Sequence, residues 1–170
     1  MDKINDMILK RHSCRFFCEK KIEKAKVDSI LEAARWAPSG KNGQPCRYVV
    51  IYQNIIKEKI ASCSIYGKWM KNASVFIAVY IDKKCSYDYK KDLQSVGAAI
   101  ENMCLQAEYL GIGSCWVGEI LKKEKEVNSI LNVPIDYELM AVVCFGYELT
   151  KSQKTDRKEL ETIVYKIYNE

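Results

Sequence analysis

The run Val75-Phe76-Ile77-Ala78-Val79-Tyr80-Ile81 constrains the fold most strongly, because it offers no polar face to water. It is too short for a membrane span and rich in β-branched residues, so it predicts a strand buried on both sides. A similar strand is predicted over Leu139-Met140-Ala141-Val142-Val143-Cys144-Phe145, and another over Tyr48-Val49-Val50-Ile51-Tyr52. Between the first two runs, Leu93, Val96, Ile100, Met103, Ala107 and Leu110 recur at spacings of 3, 4, 3, 4 and 3. That is a helical stripe, the longest element in the chain. Gly97, Ala98 and Ala99 beside it leave room for another helix, either inside the core or across a dimer seam.

Further helices are predicted over residues 2–10, over 24–36 with Val27, Ile30, Leu31 and Ala34 inward, over 54–62, and, after a short extended piece at residues 114–118, on to about Leu131. A last helix would carry Leu160, Ile163, Val164 and Ile167 on one face. Asp156 and Glu159 ahead of it have the spacing of a capping box, which puts Arg157 in its first turn, where the helix dipole favours an anion. A few widely spaced strands among many helices predict an α+β class. No repeat or Pro/Gly/Ser-rich linker divides the chain, so residues 1–170 are expected to form one domain. Gly111-Ile112-Gly113 follows a helix instead of a strand, the wrong setting for a dinucleotide fingerprint. Gly111 there would supply a left-handed helix end.

Lys and Arg number 27 against 22 Asp and Glu, a net +5. The excess is scattered and reads as a solvated surface, so no nucleic-acid partner is expected. Only five of the bases are arginines, at 11, 15, 35, 47 and 157, so the close pair Arg11 and Arg15 stands out. Their forked guanidiniums suit phosphate or carboxylate, although pairing with Asp6 or Glu19 at the surface would explain them too. The 8 cysteines include no C-x-x-C pair, several lie inside apolar runs, and His12 is the only histidine, so no metal site is expected. Cys14 is read as a small hydrophobe, unless exposure between two arginines lowers its pKa. The opening MDKINDMILKRHSC lacks the apolar core of a secretory signal, and no run of about 18 apolar residues exists. A cytoplasmic protein with no membrane association and reduced thiols is expected.

Four segments carry polar or glycine-rich character in a fixed order. They are Arg11-His12-Ser13-Cys14-Arg15, then Ala37-Pro38-Ser39-Gly40-Lys41-Asn42-Gly43-Gln44-Pro45, then Gly111-Ile112-Gly113-Ser114-Cys115-Trp116-Val117-Gly118, and finally Arg157. This ordered set, over essentially the whole chain, resembles the nitroreductase family of FMN-dependent oxidoreductases. The resemblance implies an α+β nitroreductase-like fold, with a mostly antiparallel or mixed sheet flanked by helices in an intertwined homodimer. FMN would sit at the subunit interface.

Carried over residue by residue, the resemblance gives Arg11, Ser13 and Arg157 to the FMN phosphate and ribityl end, with His12 contributing backbone or ring packing. Arg15 would lie at the pyrimidine edge of the flavin. Pro38, Ser39, Gly40 and Asn42 would approach the ring from the partner subunit, and Gly113 and Ser114 would offer backbone contacts. NADH or NADPH would be the reductant, and a nitroaromatic, quinone or other conjugated small molecule the acceptor, in a ping-pong cycle. No side chain is assigned a catalytic proton, because the cofactor carries the chemistry. The alternatives are an FMN-binding store, sensor or carrier without turnover, and a flavin enzyme of the same fold with different chemistry. Two departures stand out. Cys46 replaces the aromatic common after the Gln-Pro pair, and a short chain would leave the space above the flavin more open.

Overall fold

The computed structural model describes residues 3–150 and 155–168. Helices α1 (Lys3–Lys10), α2 (Lys24–Arg35), α3 (Asn54–Ala61), α4 (Gly67–Met70), α5 (Tyr89–Tyr109), α6 (Glu124–Leu131) and α7 (Leu160–Ile163) accompany strands β1 (Cys46–Ile51), β2 (Val75–Asp82), β3 (Gly113–Val117) and β4 (Tyr137–Gly146). The start of the first predicted helix, at residue 2, lies outside the described residues.

Among the described residues the strands form one sheet in the order β1-β2-β4-β3. Every pairing within it is antiparallel. The uninterrupted apolar run follows directly from this arrangement. Val75, Ile77, Val79 and Ile81 point into a core shared with Val27 and Ile30 of α2 and with Val96, Ile100 and Met103 of α5. Phe76, Ala78 and Tyr80 point the other way, into a core with Ile60 of α3, Met70 of α4 and Val127 of α6. All eight residues of β2 are buried, because a strand with a helical layer on each face has no solvent side. A register shift between Val79 and Tyr80 lets Met140 bulge from β4.

Helix α5 is the spine of one face. It begins at Asp88, whose carboxylate accepts from the Lys91 amide at 3.1 Å. It ends at Gly111, whose φ of +70° is the left-handed closure expected of glycine. The predicted stripe is buried at Val96, Ile100, Met103 and Ala107, whereas Leu93 stands exposed. Polar contacts lock α2 to α5: Asn102 donates to the Ala33 carbonyl at 3.0 Å, and Gln106 to Ser29 Oγ at 2.8 Å. On the other face the buried Lys57 amine donates to the carbonyls of Ala73 (2.6 Å) and Ser74 (3.1 Å), tying α3 to the turn before β2. Burial lowers its pKa.

Three expectations are corrected. The segment after β3 divides into a 3-10 turn over Glu119–Lys123 and the eight-residue α6. The last helix is a single turn, Leu160–Ile163, instead of one running through Ile167. Arg157 precedes that turn, outside any helix, so the capping-box reading of Asp156 and Glu159 fails and no helix N-terminus surrounds the arginine. The physical reason is that the apolar stripe of this segment finds no intrachain surface: Leu160, Ile163, Ile167 and Tyr168 are exposed, and Tyr165 is 100% exposed. Short helices depend on packing for stability, and β-branched and aromatic side chains favour extended backbone.

Candidate functional site

The basic strip at residues 11–15 leaves α1 and runs onto the sheet. The Arg11 amide still closes a helical bond to the Met7 carbonyl at 2.9 Å. Ser13 then forms a parallel bridge with Ser114, and the Cys14 amide donates to the Ser114 carbonyl at 2.8 Å. Further on, the Leu149 amide donates to the Phe16 carbonyl at 2.8 Å, and the Cys18 amide to the Tyr147 carbonyl at 2.9 Å. The strip is therefore stitched first to β3 and then to the chain leaving β4. Gly113 permits the close approach, because a Cβ there would lie 2.8 Å from both Cβ and Sγ of Cys14.

This stitching brings two of the four sequence segments together, 11–15 and 113–114, although about a hundred positions separate them. Arg11 is half-buried, with Nε 3.3 Å from the carboxylate of Glu101 on α5. Neither Asp6 nor Glu19 is its partner in this pair, since Asp6 holds Lys10 at 2.7 Å. His12 reaches the Lys10 carbonyl and the Glu148 carboxylate, each at 2.9 Å. Arg15 is exposed, with Nη1 3.5 Å from the Ser13 carbonyl. Ser114 is buried within β3.

Cys14 is the small hydrophobe read from the sequence, and the condition for a lowered pKa, exposure between the two arginines, is not met. It is fully buried, and burial pushes its pKa up to about 12. Cys104 beneath the same region is pushed up to about 11 by burial, and Cys115 is raised for the same reason. All eight cysteines are unpaired. Among the described residues no group of three metal-ligating side chains exists, and no helix is long and apolar enough to cross a membrane.

The loop after α2 is a second, separate part. Its Gly40–Asn42 portion forms a 3-10 turn, and Lys41, Asn42 and Gln44 adopt positive φ of 53°, 55° and 47°. Such backbone is uncommon outside glycine and is fixed here by local bonds. Ser39 Oγ accepts from the Gln44 amide at 3.0 Å, and the Asn42 amide donates to the Ser39 carbonyl at 3.0 Å. The loop borders a cleft of about 130 Å³ whose walls include Pro38, Ser39, Gln44, Cys46, Ser95 and Ala99. None of residues 11–15, 113 or 114 lines that cleft. Within one chain, α5 stands between the two parts: Ser95 and Ala99 line the cleft, and Glu101 meets Arg11.

A model of the nitroreductase family matches residues 8–64 and 57–147. The chain belongs to the nitroreductase family. A protein of Archaeoglobus fulgidus provisionally named NADH dehydrogenase/NAD(P)H nitroreductase is 35% identical over 150 residues, covering 86% of each chain. The crystal structure of a provisionally named nitroreductase from Desulfovibrio desulfuricans, in complex with FMN, superposes with a TM-score of 0.93 at 30% identity over 99% of both chains. An FMN-dependent nitroreductase from Clostridium difficile superposes with a TM-score of 0.83 at 26% identity, over 96% of this chain and 98% of its own.

Within this nitroreductase fold, three side chains of the region were not singled out from the sequence. Glu101 meets Arg11, Glu148 meets His12, and the ring of Tyr87 closes over Gly40 and takes the Lys41 amine 4.8 Å from its centroid. Nothing in local spacing marks them. Each is an ordinary acid or tyrosine brought in by tertiary structure, from 90, 136 and 47 positions away. Arg157 is not brought to the strip. Its guanidinium contacts only its own neighbourhood among the described residues, the Thr155 hydroxyl at 2.8 Å and the carbonyls of Thr155 and Asp156.

Proposed function

We propose that this nitroreductase-family chain forms one FMN-binding domain of a homodimeric NAD(P)H-dependent oxidoreductase. The observation that carries the reading is the bridge between Ser13 and Ser114, which fixes the strip of Arg11, His12, Ser13 and Arg15 along β3. The donor set fits the cofactor. The guanidinium of Arg11 and the hydroxyl of Ser13 suit a phosphate dianion and a ribityl chain, and charge-assisted hydrogen bonds to a phosphate are the strong ones. When bound, FMN supplies hydride chemistry at N5, accepting from NADH or NADPH and then delivering to a nitroaromatic, quinone or other conjugated acceptor in a ping-pong cycle.

The chain's own residues hold and polarise. Arg11 and Ser13 bind the phosphate end. Binding there requires Arg11 to leave or share its half-buried contact with Glu101. Arg15 offers a cation at the pyrimidine edge, where negative charge gathers on reduction, and so favours the reduced cofactor. Gly113 and Ser114 present backbone to the ring.

The second copy completes the site. The cleft by Pro38, Ser39, Gly40 and Asn42 belongs to a different part of the chain from the strip, so these residues serve the partner's flavin. Residues 155–168 are exposed throughout and carry Leu160, Ile163, Val164, Tyr165, Ile167 and Tyr168. So much contiguous apolar surface fits an arm that packs on the second copy, which would also bring Arg157 to a phosphate. Steady-state oxidation of NADH and NADPH, with a nitroaromatic and a quinone as acceptors, tests the reading. Turnover requiring FMN supports it. A flavin-loaded protein that turns over with neither donor and neither acceptor class would be a carrier instead.

A further inference from the structure

Two oxygens face the ring of the chain's only histidine. His12 Nδ1 lies 2.9 Å from the Lys10 carbonyl oxygen, and Nε2 lies 2.9 Å from Glu148 Oε1. A neutral imidazole has one N–H and one lone pair, so it can donate on one side only and would set a lone pair against the other oxygen. The backbone carbonyl never donates, and a carboxylate donates only when it is itself protonated. An imidazolium donates to both. We infer that the His12–Glu148 pair holds one extra proton at neutral pH, as imidazolium against carboxylate, and that this proton makes phosphate binding at the neighbouring Arg11 and Ser13 pH-dependent. The second half rests on the FMN reading above.

The surroundings agree. From α5, Glu108 adds negative potential at His12. On the histidine's own segment, the Lys10 amine is engaged by Asp6, and Arg11 pairs with Glu101. The Cys14 thiol, buried and pushed up to about 12, stays neutral. Burial of the ring works against protonation. The bonds to Lys10 and Glu148, with the charges of Glu148 and Glu108, outweigh it and raise His12 above its ordinary 6.5.

The sign of the effect follows. Losing the proton turns a neutral pair into a net negative one at the residue between Arg11 and Ser13, which hold the phosphate end, so a phosphate dianion binds less well as pH rises. By reciprocity, bound phosphate must raise the His12 pKa. Folding stability shares the sign: with the folded pKa raised, the contribution is complete below 6.5 and is lost as pH rises through the folded value.

Since His12 is the sole histidine, its ring protons give one set of NMR signals, and its titration can be read in the full-length chain. The expected midpoint lies above 6.5 without ligand, rises further with FMN, and does not rise with riboflavin, which lacks the phosphate. Glu148→Gln should lower it. FMN affinity should fall as pH rises through the His12 midpoints measured without and with FMN, about tenfold for each unit by which FMN raises the midpoint. Under Glu148→Gln that fall should move to lower pH with the lowered midpoint. A ligand-free midpoint at or below 6.5 overturns the extra proton. A raised midpoint that FMN leaves unmoved while FMN binds overturns the link to phosphate. A chain that binds no FMN at any pH overturns the cofactor reading and the link together, and the midpoint still decides the proton.

Discussion

The Cys14 amide donates to the Ser114 carbonyl at 2.8 Å, and the side chain of Cys14 fills the space in front of Gly113. Those contacts join the basic strip to β3. A methyl group at Gly113 would meet Cys14 Cβ and Sγ at 2.8 Å and the Gly146 carbonyl at 3.3 Å. None of these belongs to a flexible side-chain end. Gly113→Ala should therefore destabilise the fold by about 1–3 kcal/mol, as overpacking does, and should loosen FMN as well. Denaturant unfolding alongside flavin content checks both effects. A variant with unchanged midpoint and full flavin would show that the strip does not depend on this contact.

Arg157→Ala should weaken FMN binding by about 1.5–3 kcal/mol, the usual range for a hydrogen bond to a charged group. The effect should appear although, among the described residues, Arg157 touches only Thr155 and Asp156. Flavin fluorescence titration reads it, and wild-type affinity would remove Arg157 from the phosphate site.

A chain ending at Leu149 tests the role of the exposed apolar arm. Sedimentation should give a dimer for the full chain and a monomer for the shortened one, with FMN bound poorly by the latter. A shortened chain that remains dimeric and retains flavin would assign the arm no part in assembly.

The buried thiols give a prediction with a definite sign. Raised pKa values mean less thiolate at any given pH, and thiolate is the reactive form. Cys14 at about 12 and Cys104 at about 11, with Cys115 and Cys144 also raised, should resist alkylation at pH ~8 in the folded protein. Labelling should be fastest at the partly exposed Cys18 and Cys85, and slower at Cys46 and Cys63, whose pKa values burial also raises. Mass spectrometry after brief iodoacetamide treatment reads the positions, and rapid modification of Cys14 would contradict its burial.

Much of this architecture is legible in residue order. Val75–Ile81 announces a strand covered on both faces, the stripe from Val96 to Ala107 announces the spine helix, and Gly111 announces its end. The ordered segments also suffice to recognise the family. The C-terminal stripe misleads, because apolar spacing reports that a face is buried without saying whether the covering surface lies in the same chain. Leu160 and Ile163 lie in one helical turn, and Tyr165, Ile167 and Tyr168 lie outside any helix or strand and are exposed. The contacts of Glu101 and Glu148 are illegible for another reason. A lone acid on a helix face or after a strand is common, and only tertiary structure gives it a specific partner.

FMN bound by this chain is expected to exchange electrons with a nicotinamide. The most direct measurement is the visible absorption spectrum of the purified protein, repeated anaerobically after NADH and then after NADPH. A flavin spectrum that bleaches with one or both is the predicted result. A colourless protein that takes up no added FMN, or a bound flavin that neither donor reduces, would contradict it.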